Sequence, residues 1–415
     1  MVQNKEKAKR GSFITLDFLF ACMVSFLVRL GLQARSTATP LYIIALDYSK
    51  SAAGLASSAY TISALIFRPV VGILLDKFGR KNMLVVGTAI IAIVLIPLSF
   101  ATDITLIYVY SFICGMGFSF MSTALSTIVT DLVPDESLAE GLGYFGLSST
   151  LSQAIGPTMA LWTIATFDYS GAFLTAAGLA VIALVCTFLI KYEKRRAEKA
   201  GIVIEKKQDV EAEQPKDEEQ PAVKVPWWGK IIEPTAAKSG FMICFVTFAS
   251  ASIGTFLATY AQENAIEGIG LFFTIRAIGT AISRLFAGKV TETIGNSKTM
   301  KISLLIMIVG YFGIAMSKTL LPLVIIGFLY ALGNGFFHIT CNVAAVLETP
   351  RARRGAANAT FYLLMDAGLG VGSAFWGVVA DFAGTAGAFV GSGIMTVCVF
   401  IFAVFYLRKV NLDKK

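Results

Sequence analysis

Twelve times along this chain a run of about twenty mostly apolar residues recurs, each long enough to cross a ~30 Å hydrocarbon layer as an α-helix. The runs fall at 13–45, 52–75, 82–101, 104–130, 138–165, 170–192, 238–262, 268–290, 299–317, 320–347, 355–380 and 386–407. In such a layer backbone polar groups must be satisfied inside each segment or around a closed barrel, and the alternation of barrel strands is absent. A soluble fold is excluded too: 56% hydrophobic residues, 15% charged residues and a mean hydropathy of +0.71 lie far outside the soluble range. The spacing predicts an all-α membrane protein with 12 transmembrane helices.

Charge sets the orientation. With the N-terminus inward, only Lys50 and Lys318 of the 35 Lys and Arg fall in outward loops. Arg29, Arg35, Arg68, Arg276 and Arg284 lie within spans, and all the others lie inward. This asymmetry places both termini in the cytoplasm of a multi-pass plasma-membrane protein. It also accounts for the net charge of +8 without a nucleic-acid partner. Met1 to Arg10 is basic, but the apolar run behind it is too long and lacks a small-residue cleavage site, so the first span is expected to be retained. Between spans 6 and 7, Lys191 to Lys238 is a mixed-charge, aromatic-poor tract that cannot bury a core. The chain thus divides into an N-terminal six-helix bundle over 1–192, a charged cytoplasmic linker over 193–237 and a C-terminal six-helix bundle over 238–415. Cys22, Cys114, Cys186, Cys244, Cys341 and Cys398 stand alone in apolar segments, without metal-ligand spacing, so neither a metal nor a cofactor is expected.

The two bundles repeat one another. Sliding the first half until Arg68 falls on Arg284 also brings Gly72 onto Gly288, Asp76 onto Glu292, Gly79 onto Gly295, Pro134 onto Pro350 and Gly156 onto Gly372. A parallel repeat about an axis along the membrane normal is a recurrent transporter plan, with the substrate site at mid-membrane between the halves. Gly72-Ile-Leu-Leu-Asp76-Lys-Phe-Gly79-Arg80-Lys81 resembles the signature loop between the second and third helices of the major facilitator superfamily. With the twelve spans, the six-plus-six repeat and the central linker, the resemblance covers essentially the whole chain. It implies that Gly72, Asp76, Gly79 and Arg80 form a cytoplasmic latch between the halves, the arginine pairing with an acid at the end of the fourth helix, where Asp131 stands. Gly288, Glu292 and Gly295 make a second, weaker copy, with Asn296 in the arginine's place.

In span 5, Ser152-Gln153-Ala-Ile-Gly156-Pro157 is similar to the glycine–proline motif of the superfamily's exporters, although Thr158-Met-Ala-Leu161 replaces the glycines that follow in those proteins. Small residues four apart let helices approach, and Pro157 removes a backbone donor and bends its helix. Gly368 and Gly372 read as a similar packing ladder in span 11. Exporters of this kind often carry an arginine in span 4 before a Gly-x-Gly; here Gly115-Met-Gly117 is present but Ser111 stands in that place, so no mechanism through it carries over.

Ionisable residues inside a membrane are costly and mark function. Arg29, Arg276 and Asp366 each fall roughly midway through the bilayer at ~1.5 Å per residue. A buried carboxylate that changes arginine partners can load and release a proton, so Asp366 is expected to carry the coupling proton with Arg276 or Arg29 as its partner. A static pair that only orients helices is the alternative. Two arginines against one acid also leave positive charge that suits an anionic or zwitterionic solute. Gln33, Tyr60, Gln153, Tyr260, Asn334, His338 and Tyr362 are candidate cavity residues. Arg68 and Arg284, recurring near the cytoplasmic third, read as structural, and Arg35 as reaching outward. Gly141-Leu-Gly143-Tyr-Phe-Gly146 follows no strand, so it is not a nucleotide loop, and no Walker motif implies ATP.

These features predict a monomeric secondary transporter, not an enzyme, that moves a small organic molecule by alternating access. Proton-coupled export of a drug or metabolite, drawing on the proton gradient, is the first reading; a proton-coupled importer of an organic anion or sugar is the second.

Overall fold

Short polar turns cut the apolar runs into helices. Thr15 Oγ1 accepts the Phe18 N–H at 3.3 Å, Ser49 Oγ that of Ala52 at 3.1 Å, and Asp103 Oδ1 those of Thr105 at 2.7 Å and Leu106 at 3.2 Å. Each side chain satisfies donors that a helix start leaves without partners. The computed structural model describes residues 15–133, 138–190, 236–347, 349 and 354–409. In the first half these are α1 (Leu16–Ala45), α2 (Lys50–Phe78), α3 (Arg80–Leu98) and α4 (Ile104–Leu132), then the element Leu138–Leu189. That element breaks at Asp168 (φ 68°, ψ −178°) into α5 (138–167) and α6 (169–189). The second half holds α7 (Ala237–Glu263), α8 (Gly270–Ile294), α9 (Asn296–Met316), α10 (Leu320–Leu347) and the element Arg354–Lys409. Gly384 (φ 74°, ψ 169°) divides it into α11 (354–383) and α12 (385–409).

The breaks obey the repeat. The shift that carries Arg68 onto Arg284 carries Asp168 onto Gly384, and it carries Gly79 (φ 86°, ψ 151°) onto Gly295 (φ 87°, ψ 150°). At both glycines one residue with positive φ separates two helices, a conformation nearly closed to residues with a Cβ. Among the described residues nine helical stretches are long and apolar enough to cross a membrane, and two of them contain the breaks at Asp168 and Gly384. Ser57, Tyr60, Thr61 and Arg68 of α2 face the space between the halves.

Two cores form, one around Val28, Ile91, Met121 and Phe173 that also takes in Ala251, Phe256 and Trp376 of the second half, the other around Phe272, Met307, Tyr311 and Phe337. In the first half α5 packs on α1 at Gly156, where a Cβ would lie 3.2 Å from the Leu30 carbonyl oxygen. In the second, α11 packs on α7 at Gly372 and Gly368, where a Cβ would run into the carbonyls of Phe248 and Cys244.

The halves meet along two repeat-related seams, α2 with α11 and α5 with α8. In the first, Ser58 donates to the Gly370 carbonyl, and a Cβ on Gly377 would lie 2.7 Å from the Lys50 carbonyl oxygen. In the second, Thr158 donates to Gly270 O at 3.0 Å and Thr274 to Ala154 O at 3.2 Å. At the end of the bundle remote from the termini, the Asp381 carboxylate of α11 accepts the Lys50 and Ser51 N–H groups at 2.8 and 2.9 Å, together with the Ser51 hydroxyl. Lys50 also pairs with Glu263 at 2.6 Å, and Glu263 accepts the Thr385 hydroxyl. These contacts clamp that far end shut.

Candidate functional site

Between the seams lies a cavity of about 490 Å³. Its wall is built from both halves: Arg29 and Gln33 on α1, Tyr60 and Arg68 on α2, Gln153 and Pro157 on α5, Arg276 on α8 and Asp366 on α11. Arg29 and Gln33 stand one turn apart, so the helical period alone puts them on one face. Asp366 lies in the middle of α11, as its place in the chain predicts, but its partner differs from the expected one. Arg68 Nη1 reaches it at 2.6 Å, crossing from the first half to the second. The structural role expected for Arg68 is therefore corrected: a long side chain carries its charge away from the near-end third of α2 and into the cavity. Arg29 and Arg276 line the same cavity without contacting Asp366.

The repeat explains the bridge. Its mate, Arg284 on α8, donates to Thr150 Oγ1 on α5 at 3.2 Å. Thr150 is the residue that the repeat shift superposes on Asp366. Each half thus sends one arginine across to the other, to an acid on one side and to a hydroxyl on the other.

Arg35 does not reach outward as expected. It is 3% exposed, donates through Nη2 to Ser111 Oγ at 2.8 Å, and lies 4.6 Å over the Tyr60 ring. A guanidinium from α1 therefore sits beside Ser111, where the resemblance led one to look for an arginine on α4. Arg29 donates from Nε to Ser25 Oγ at 3.3 Å and lies 5.6 Å from the Phe118 ring.

Three of the expected cavity residues, Tyr260, Asn334 and His338, are packed behind the wall. The Tyr260 hydroxyl donates to Ala315 O at 3.0 Å and Ser317 O at 2.8 Å, which fixes it in the core of the second half. His338 packs edge-on against Phe361 with ring centres 6.3 Å apart, and Tyr362 is 43% exposed one turn from Asp366, on the face of α11 that carries Asp366 and Leu369. Asn334 donates to Ser250 Oγ at 3.2 Å and to the Tyr330 hydroxyl at 3.1 Å, in a polar knot behind the wall; of this knot Ser250 lines the cavity.

Of the latch, Arg80 and Asp131 form the expected ion pair, which ties α3 to α4 inside the first half. Lys81 Nζ donates to Ile190 O at 2.6 Å, and Asn296 donates to Thr340 O at 3.2 Å in the second half. The side chains of Gly72, Asp76, Gly288 and Glu292 lie outside the described residues, as do the linker over 191–235, Pro134 and Pro350.

Similarity to known proteins runs the length of the chain. The family model described as Major Facilitator Superfamily matches residues 21–264 and again residues 239–415. The Staphylopine export protein of Staphylococcus aureus is 23% identical over 361 residues, 86% of this chain and 87% of that protein. The multi-drug resistance efflux pump PmrA of Streptococcus pneumoniae is 26% identical over 324 residues, 75% of this chain and 76% of the pump. Among solved structures, that of the nucleoside transporter NupG superposes with a TM-score of 0.75 at 16% identity, covering 95% of this chain and 100% of that one.

Proposed function

Because the chain belongs to the major facilitator superfamily, we propose that this multi-pass membrane transporter is a proton-coupled exporter of a small organic solute. The observation that carries the reading is the Arg68–Asp366 bridge, an ion pair that joins the two halves inside the cavity. A carboxylate in a desolvated cavity stays ionised while a guanidinium faces it and takes up a proton when that partner leaves. After the cargo has left on the far side, protonation of Asp366 breaks the bridge and lets the emptied carrier rock back. Release of the proton on the near side remakes it. Arg29 and Arg276, on the same wall, are the groups that compete for the carboxylate as the halves move.

Export, and not uptake, is favoured by the relatives named for efflux and export. The scarcity of Lys and Arg in the far-end loops supports an orientation with both termini in the cytoplasm and the clamped far end outside, in the plasma membrane. The protein works as a monomer, with the proton gradient as its energy source and no nucleic-acid partner. In inside-out vesicles with an acidic lumen, the chain should accumulate ethidium or labelled citrate. Asp366→Asn should abolish accumulation while leaving solute exchange at equal pH intact. Gradient-driven accumulation by Asp366→Asn would refute the coupling role.

A further inference from the structure

The cavity carries more positive charge than its own acid can balance. Asp366 is the sole acidic side chain on its wall among the described residues, and Arg68 already answers it. Arg29, Arg35 and Arg276 line the same space, and none of the three makes an ion pair among the described residues. What they have instead is weak. Arg29 and Arg35 each have one hydroxyl and one ring face, and the Nε of Arg35 is buried without a hydrogen-bond partner. Taking guanidinium groups out of water costs more than such neutral contacts return, and three like charges on one wall repel as well.

We propose that the cargo is an organic anion bearing two or more carboxylates, seated on Arg29 and Arg35 of the first half and Arg276 of the second. The proposal rests on the transporter reading above and narrows its cargo. One carboxylate would leave the wall strongly positive, whereas two or three match it, and the planar guanidinium fork suits carboxylate oxygens. A volume of about 490 Å³ is in the range of sites for drug-sized ligands, so a bare inorganic ion would leave most of it to water. Gln33 and Gln153 add neutral donors and acceptors from α1 and α5, positioned for hydroxyl or amide groups of such a solute. A lipophilic cation would meet like charge on both halves. With its acids divided between α1 and α8, the bound cargo itself ties the halves together, taking over the link that Arg68 and Asp366 make in its absence.

The test is calorimetric titration of the purified full chain in detergent with succinate, citrate, acetate and tetraphenylphosphonium. Citrate and succinate should bind, acetate should bind at least about tenfold more weakly, and Arg29→Gln and Arg276→Gln should each weaken citrate about tenfold or more. Should a Gln variant fail to fold, Arg29→Lys and Arg276→Lys keep the charge and lose the fork, and should still bind citrate more weakly than the unsubstituted chain; equal binding by both Lys variants would overturn the proposal. The proposal is overturned if neither polyacid binds, if citrate binds equally well to both Gln variants, or if tetraphenylphosphonium binds more tightly than citrate. Vesicle transport separates the two readings. Arginine-dependent citrate binding without gradient-driven transport would sink export and uphold the cargo class, and pumping of ethidium without polyacid binding would do the reverse.

Discussion

Removing the Asp381 carboxylate should loosen the far-end clamp by an amount the structure lets one work out. Asp381 accepts two N–H groups from the first turn of α2 and one hydroxyl, all belonging to the other half, so the whole set is lost when the far end opens. Hydrogen bonds to a charged group contribute about 1.5–3 kcal/mol each when buried. These are exposed, and water replaces much of each in the open state, so about 2 kcal/mol for the set is a fair figure, including ~0.5 kcal/mol from the charge at a helix start. That corresponds to about a 30-fold change in the ratio of closed to open molecules. Spin labels at Phe100 and Met316 would report it, since these are 67% and 80% exposed and stand at the far ends of α3 and α9, in different halves. The unsubstituted chain should give mainly the short distance in pulsed electron resonance, and Asp381→Ala should shift much of the population to a longer one. Ser51→Ala, which removes only the hydroxyl donor, should shift it less. A distance distribution in Asp381→Ala that superposes on that of the unsubstituted chain would refute the clamp.

Three further outcomes follow from particular residues. Asp168 holds a conformation that its repeat mate Gly384 holds freely, so Asp168→Gly should stabilise the fold by about 1–2 kcal/mol and raise the melting temperature; a lower melting temperature would contradict the strain. Thr150→Asp gives Arg284 a carboxylate and should favour the far-end-closed state by up to about 1 kcal/mol, visible as a sharper short distance in the same label pair. Backbone hydrogen bonds from Leu106 and then Thr105 hold the Asp103 carboxyl below its ordinary value. The cap on α4 is therefore fully present above the ordinary carboxylate value and lost as pH falls through the depressed one. A carboxyl NMR titration of Asp103 with a midpoint at or above the ordinary value would contradict this.

How far the sequence reaches depends on the physics behind each feature. Span limits were legible to within a few residues because hydropathy is a local property. The turns at Gly79 and Gly295 were legible because only glycine accepts that backbone readily. Asp366 could be placed in depth by counting residues along one helix. Its partner could not, since the register between α2 and α11, far apart in the chain, is set by packing that no local pattern encodes. A signal did exist: the repeat aligns Arg68 with Arg284 and Asp366 with Thr150, and those four residues form the two cross-half bridges. Tyr260 was misplaced for a related reason. Helical depth is readable from the chain, but the direction a side chain faces depends on neighbours, here the carbonyls of Ala315 and Ser317. Arg35 was read as reaching outward because depth alone does not show that Ser111 on α4 offers its guanidinium a partner.

The inequality of the two bridges bears on energetics. A pseudo-twofold with an acid at both positions would offer two titratable links, whereas Thr150 leaves one. Under the coupling proposed above, this link would move a single proton per turnover. Each pH unit across the bilayer supplies about 1.36 kcal/mol per proton, so one-to-one coupling sustains at most about a tenfold solute ratio per unit, apart from what the membrane potential adds. On that proposal, a hydroxyl at one repeat position, where its mate has a carboxylate, would set the ceiling of the gradient the protein can build.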